Sequence, residues 1–445
     1  MINKIKQLLQ KRKIFGWKIE VISSKSTDLY FTKNLESESE LIGDRFSIEI
    51  VVYKDYGEEI GESSFSIVEF NEKSINKMID DALVICDYSR KPKFSLPTKS
   101  ELKSKPKKLI LVDKKLISPL KNLRKIANGI RTNLKKYNVK PNNLELQGSY
   151  LKLNVINSNG VDLKEEKTSF YVELTLTTAK KADGKVQEQE FVAMKEHASL
   201  SQFNAKEFVK ENVNIVEDVL NSDLINSFKG NVVLTDDAAA DFFAPHLGLS
   251  PLVMHASAKI KQMGLCVYSP KKKIANFKGD KISISTNPLL KLNPTSSLFD
   301  GDGVISKKVK LIEKGIFKNW FASKQYADYL GITATGALGA VEVNGGKKSM
   351  KNLKQTLPLV EIVSFSSFVP NSISGDFSAE IRLGYISEKN KAGKIIRKPF
   401  KGGMFIGNMF KIIENMWLSK EIIEVKGYRG PKIALFKNAI VAGMK

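Results

Sequence analysis

Apolar and polar positions alternate with period two through several stretches of the first half of the chain. In RFSIEIVVY, Phe46, Ile48, Ile50 and Val52 share one face, which predicts a half-buried strand. SSFSIVEF reads as a second strand, and SFYVELTLTT (169–178) alternates again. LELQGSYLKLNVINSNGVDL predicts strands on either side of a turn at Asn157–Gly160. Elsewhere the period lengthens to that of a helix. Ile75, Met78, Ile79, Ala82 and Leu83 lie at helical spacing over 74–86, with Cys86 on the same face. Ile117, Leu120, Leu123, Ile126, Ile130 and Leu134 predict a helix over 117–136, and Phe208, Val209, Val213, Val216 and Leu220 predict another.

Between these elements, SLPTKSELKSKPKK (95–108) is polar and lysine-rich and carries Pro97 and Pro106, so it reads as a linker. The texture changes near 222–229. KGNVVLT predicts a short strand. DDAAADFFAPHLG opens as a helix with Thr235 as N-cap and two acids in its first turn. Many short strands with Gly, Asn and Pro turns follow. The expected class is α+β: residues 1–228 form an antiparallel sheet with flanking helices, and residues 229–445 form a β-rich domain of many short strands with a few helices.

Composition adds restraint more than direction. The 445 residues exceed what one compact core needs, and 42% hydrophobic with 27% charged suits a globular chain. No apolar run reaches the roughly 18 residues that cross a bilayer. The opening MINKIKQLLQKRK is basic but lacks the apolar core of a secretory signal. A reducing cytoplasm is expected, because Cys86 and Cys266 stand too far apart for a CxxC pair and Cys86 falls on an apolar helix face. The net charge of +23 is heaviest over 96–140, with 14 Lys and Arg against Glu101 and Asp113. No aromatic stacking platform accompanies it, so a solvated basic face is expected and nucleic acid is not expected as a partner.

Candidate chemistry centres on DFFAPHLGLSPLVMH (241–255), which holds two of the three histidines. His246 and His255 are nine apart, about 900° along a continuous helix, so they would point to opposite sides. Pro245, Gly248 and Pro251 interrupt any such helix. Cys266 is a third ligand on paper only, and His197 is expected at the surface. A catalytic zinc needs about three protein ligands and a nearby carboxylate, which this spacing does not supply. Asp236, Asp237 and Asp241 are explained by the dipole of a helix start, and Asp300 and Asp302 in FDGDG by turn chemistry. GGKK (345–348) lacks the frame of a phosphate loop.

Four ordered motifs carry a resemblance. They are SSLFDGDGVISKKVKLIEKGIFKNWFASKQYADYLGITATG (296–336), SGDFSAEIRLGYI (374–386), KPFKGGMFIGNMFKII (398–413) and YRGPKIALFKNAIVAG (428–443). Together with INSNGV (156–161), they make the chain resemble the TldD/PmbA family, once called modulators of DNA gyrase and understood as a two-subunit metallopeptidase system. In that family, TldD-like chains carry HExxxH in the helix after the first strand of the C-terminal domain. PmbA-like chains, also called TldE, lack it and pair with a TldD-like partner. Neither His246 nor His255 is followed by glutamate, so the resemblance is closest to the PmbA/TldE-like subunit.

The resemblance implies a metal-free subunit with no catalytic residue or cofactor of its own. Zinc is expected in a TldD-like partner, as a heterodimer, with a homodimer as the other arrangement. An extended peptide is the expected substrate. Gly375, Asp376, Phe377 and Ser378 in the SGDFS turn are the candidates for its cavity. Two alternatives stay open: a stand-alone homodimeric enzyme with an unrecognised site, and a nucleic-acid-binding modulator.

Overall fold

The computed structural model describes residues 1–103, 108–182, 184–245, 248–425 and 427–444. Its first part comprises α1 (Ile2–Gln10), β1 (Gly16–Thr32), β2 (Ser37–Asp55), β3 (Glu59–Ile67), α2 (Glu72–Ile85), β4 (Arg90–Pro92), α3 (Leu120–Leu134), β5 (Lys140–Asn157), β6 (Asp162–Ala182), β7 (Lys185–His197) and α4 (Ala205–Leu220). The strands make one seven-stranded antiparallel sheet in the order β4-β3-β2-β1-β5-β6-β7. One face carries the helices. Phe170, Val172, Leu174 and Leu176 of β6 are fully buried beneath α3 and α4, together with Leu29, Phe31, Leu123, Ile130 and Val213. At the other end of the same face, Ile48, Ile50 and Val52 are buried against α1 and α2. Each such side chain contributes roughly 1.5–3 kcal/mol by leaving water.

Period two identifies the face of a strand but not where its cover stops. Phe46 sits in phase with Ile48 and Ile50 yet is 40% exposed, because it lies between the two helix pairs. The helix expected from residue 117 starts at Leu120, after Pro119 in the capping position, and Ile117 is left exposed. Helix α2 begins after Asn71, whose side chain accepts from Ser74 N–H. Cys86 follows α2 in a 3-10 turn and is buried, its thiol donating to the Val52 carbonyl. The basic face of α3 is partly engaged: Arg124 pairs with Glu38 and Glu40, and Arg131 donates to the Leu35 carbonyl while stacking over Phe31.

The lysine-rich stretch after β4 is docked as far as it is described. Phe94 and Leu96 are buried with Tyr53 and Ile60, and the Pro97 carbonyl accepts from Asn157 Nδ2 at 2.8 Å. Residues 104–107, with Pro106, lie outside the described residues.

The second part begins with β8 (Asp223–Leu224), β9 (Phe228–Thr235), α5 (Asp237–Phe243), α6 (Pro251–Met254), α7 (Ala258–Gln262), β10 (Ile284–Asn287), β11 (Val309–Glu313) and β12 (Ile316–Phe317). It continues through α8 (Lys324–Leu330), β13 (Ala340–Val343), α9 (Met350–Leu353), β14 (Leu359–Ser367), β15 (Asp376–Lys389), β16 (Ile395–Lys401) and β17 (Met404–Asn408). It ends with α10 (Met409–Ile412), β18 (Met416–Leu418), β19 (Ile422–Val425), β20 (Tyr428–Pro431) and β21 (Ile433–Ala442). Strands β14, β9, β21, β17 and β15 close on themselves, since β14 pairs with both β9 and β15, making a small barrel. A six-stranded sheet, β12-β11-β10-β13-β20-β19, packs beside it. The barrel core is aromatic: Phe405 lies 5.0 Å from Phe377 and 6.0 Å from Phe436, ring centre to ring centre. The fold is α+β, with the longer helices on the first sheet and only short ones in the second part.

The FDGDG loop fastens the two parts together. Phe299 is buried among Val155, Val161 and Leu163 of the β5–β6 hairpin. Glu165 of β6, 3% exposed, accepts from Leu298 N–H and from the Ser297 hydroxyl at 3.1 Å. Asp302 pairs with Lys18 at 3.1 Å, and Asp300 accepts from the Asp302 and Val304 N–H groups within its own turn. Burial, and then the charge of Asp302, pushes the Asp300 carboxyl up to about 6.

Candidate functional site

Helix α5 follows the first long strand of the second part. Thr235 is the last residue of β9 and is buried, its hydroxyl directed at the Ile362 carbonyl, so it does not cap the helix. The capping position belongs to Asp236, at φ +50° and without a side-chain cap bond. Asp236 pairs instead with Lys432 at 3.2 Å, and Asp237 with Lys195 of β7 at 2.8 Å. The opening acids of α5 therefore tie it to its neighbours through ion pairs. Burial, and then the charge of Asp237, pushes the Asp241 carboxyl up to about 7, with Lys195 acting the other way. The inward face of α5 is Ala238, Ala239, Ala240, Phe242 and Phe243. Phe242 caps the aromatic barrel core, 4.9 Å from Phe436 and 6.3 Å from Phe377.

His246 lies outside the described residues. His255 does not: it ends α6 and is fully buried. Its Nδ1 accepts from Val267 N–H at 3.1 Å, which places the ring proton on Nε2, and Nε2 donates to the Ile373 carbonyl at 2.8 Å. The sequence offers Cys266 as a third ligand on paper only. The structure sets it alongside this histidine, with its thiol donating to the His255 carbonyl at 3.0 Å and accepting from Tyr268 N–H. Both histidine nitrogens and the sulfur are thus committed to main-chain groups, and burial holds the imidazole below its usual range. The donor set does not fit a zinc ion. Among the described residues, no three His, Cys, Asp or Glu side chains are grouped to hold a metal.

His197 also departs from expectation. It is half-buried, stacked on Phe170 at 6.5 Å and beside Phe203, because the 3-10 turn after β7 folds back over it. Burial, and then Lys195, lowers its pKa to about 4.

The SGDFS turn enters β15. Asn371 Oδ1 accepts from the Ile373 and Ser374 N–H groups, and Gly375 N–H donates to the Asn371 carbonyl. Gly375 has φ +78°, and a Cβ there would lie 2.6 Å from the Phe410 ring, so both conformation and space require glycine. Asp376 is exposed, yet both oxygens are engaged: Oδ1 accepts from Asn408 Nδ2 and Oδ2 from the Ser374 hydroxyl, each at 2.8 Å. These bonds hold its carboxyl below the usual range. Phe377 points into the barrel, while Ser378 is exposed.

Beside this turn lies a feature that hydropathy does not reveal. Residues 265–269 run extended outside any strand, with Cys266 and Tyr268 turned inward and Leu265 and Val267 outward, 41% and 61% exposed. Among the described residues, the Cys266 N–H and the carbonyls of Leu265, Cys266 and Val267 take no main-chain partner. The single imidazole of His255 holds this segment and the SGDFS turn together, through Val267 and Ile373.

Residues 227–443 match the family described as PmbA/TldA metallopeptidase C-terminal domain. An uncharacterized protein of Methanocaldococcus jannaschii is 29% identical over 303 residues, 64% of this chain and 66% of the relative, so the match spans just under two thirds of that protein. Among solved structures, TldE from Thermococcus kodakarensis superposes with a TM-score of 0.78 at 17% identity, covering all of both chains. A candidate modulator of DNA gyrase from Bacteroides thetaiotaomicron gives 0.81 at 17% identity, over 99% of this chain and 98% of that one. Another from Thermotoga maritima gives 0.79 at 16% identity, over 99% and 100%. Residues 227–443 thus carry the C-terminal domain of the PmbA/TldD metallopeptidase family, and both parts of the chain share the fold of these solved structures.

Proposed function

We propose that this chain is the TldE-like subunit of a TldD/PmbA-type peptidase, supplying cavity wall and peptide contacts while a TldD-like partner holds the zinc. The observation that carries this reading is α5. The helix that bears HExxxH in TldD-like chains here directs Phe242 into the aromatic core and anchors its opening acids on Lys195 and Lys432. Residues 237–243 carry no histidine, so this helix cannot present HExxxH. The segment 265–269 supports a role in peptide binding. Its free main-chain groups can pair with an extended peptide as an added strand, with little demand on sequence. Gly375 and Asp376 shape the adjoining turn, Ser378 offers an exposed hydroxyl, and Phe377 holds the turn on the barrel.

The test is reconstitution. Purified alone, the chain should hydrolyse no peptide and hold no stoichiometric zinc by elemental analysis. Mixed with a TldD-like subunit, it should form a complex and raise peptide cleavage. Chelator-sensitive hydrolysis by the isolated chain would overturn the proposal and favour a stand-alone enzyme.

A further inference from the structure

The face of the seven-stranded sheet opposite the helices has a charge pattern unlike the rest of this basic chain. At one end it is covered by the FDGDG loop. Further along, the strand registers align Gly43, Ser26, Ser149 and Ser169 in a row of small residues. The next row sets Asp28 opposite Gln147, Gln147 opposite Tyr171, and Tyr171 opposite Glu196. The row after it sets Tyr30 opposite Glu145, and Glu145 opposite Glu173. These three rows contain no lysine or arginine, in a chain with 71 of them. The face is reachable: Leu41, Tyr30 and Met194 along it are 57%, 37% and 58% exposed.

Two observations point to a surface suited to binding cations. Glu145 and Glu173 are direct cross-strand partners, an arrangement that like charges destabilise. The charged groups acting on Glu145 are Glu173 and Asp28, and its hydrogen bond comes from Tyr30. Burial first, and then those two carboxylates, hold it above the usual range. Independently, Asp28 is only 5% exposed. Its Oδ2 has a long contact of 3.4 Å from the Ser26 hydroxyl, and its Oδ1 has no hydrogen-bond partner among the described residues. A buried carboxylate oxygen without a donor is costly and uncommon in native folds.

We propose that this face binds the lysine and arginine side chains of an extended basic peptide, so that the subunit favours cationic substrates. This rests on the peptidase reading for its role, though not for the binding itself. The small-residue row gives a flat floor for the peptide, the carboxylates meet its cations, and Tyr30 and Tyr171 offer rings for the aliphatic stems. The chain as a whole carries +23, so long-range attraction favours acidic peptides. A preference for basic ones must therefore come from a local site.

The experiment measures fluorescence anisotropy of length-matched lysine-rich, glutamate-rich and neutral peptides with the full chain and with a Glu145→Gln/Glu173→Gln double variant. Wild type should bind the lysine-rich peptide more tightly than the glutamate-rich one. The double variant should weaken the lysine-rich peptide by about tenfold and leave the neutral one unchanged. Asp28→Asn should act in the same direction. Equal binding of lysine-rich peptide by wild type and variant, or a wild-type preference for glutamate, overturns the proposal. So does a variant that changes only self-association in sedimentation, which would assign the face to a second copy. Cleavage of the neutral peptide by the mixed subunits tests the peptidase reading separately. If that fails while the lysine preference holds, the cation site stands and the peptidase role does not.

Discussion

The two parts of this molecule hold their shape in different ways. In the first, seven long strands run side by side, and stability accumulates from repeated positions such as Phe170, Val172, Leu174 and Leu176, each buried for the same reason. In the second, short strands close into a barrel whose joints depend on single contacts, Gly375 beneath Phe410 and Asn408 on Asp376, and one loop docks on the first sheet through Glu165 and Leu298. A regular sheet spreads its energy over many equivalent residues and tolerates local change. A closed barrel with docked loops concentrates it, so damage at one joint spreads.

The comparison is tested most severely at glycine. Gly375→Val should lower stability by about 3 kcal/mol or more, because the branched side chain meets the Phe410 ring and a positive φ together. Chemical denaturation measures this, and cleavage in the reconstituted complex should fall with it. An unchanged midpoint would show that the turn is looser than the barrel implies. A smaller loss is expected at the seam. Glu165→Ala removes the acceptor for Leu298 N–H and the Ser297 hydroxyl, at about 1–3 kcal/mol. Hydrogen exchange should rise around 297–305 while the β5–β6 ladder stays protected.

His197 gives a pH-dependent version of the contrast within the first part. Its folded pKa lies near 4, below the unfolded value of about 6.5, so the folded form binds fewer protons between those limits. Its contribution is complete above about pH 6.5 and is lost as pH falls toward 4. At pH 5 the loss should be about 2 kcal/mol. His197→Gln should flatten that segment of the stability profile relative to wild type; an identical slope would mean that the ring is solvated. The smallest effect has the opposite sign. Gly129, inside α3, has room for a methyl group, whose nearest neighbour would be Ala205 at 3.4 Å. Gly129→Ala should therefore raise stability by about 0.5–1 kcal/mol, which a thermal melt resolves.

Much of this architecture can be read from residue order. Alternation in β6 and the 3.6-residue spacing of α2, α3 and α4 identify their buried faces, because each such element repeats one environment along its length. Phe46 and Ile117 escape the same logic: their phase is right, but the cover is absent. Thr235 has the chemistry of an N-cap and the position of a strand end, and only the register of β9 with β21 decides between them. His197 is buried by Phe203, a neighbour brought in by a turn that periodicity does not describe. At the candidate site, the missing HExxxH and the SGDFS turn are visible in the chain itself. The partnership of His255 with Val267 and Ile373 is not, since it depends on how three separate loops meet. The acidic sheet face is hidden for a related reason: its carboxylates come from different strands, and only pairing makes them neighbours.

Strand β21 sits inside the barrel, hydrogen-bonded to β9 on one side and β17 on the other. A ribosome delivers β9 long before β21, so the barrel cannot close until residues 433–442 have emerged from the exit tunnel. Until then β9 and α5 carry exposed aromatic and aliphatic surface, while the first sheet, whose strands and covering helices are all made earlier, can already fold. Loss of even the final strand by premature termination would therefore leave a nascent chain with a finished first half and a second half open to aggregation and proteolysis.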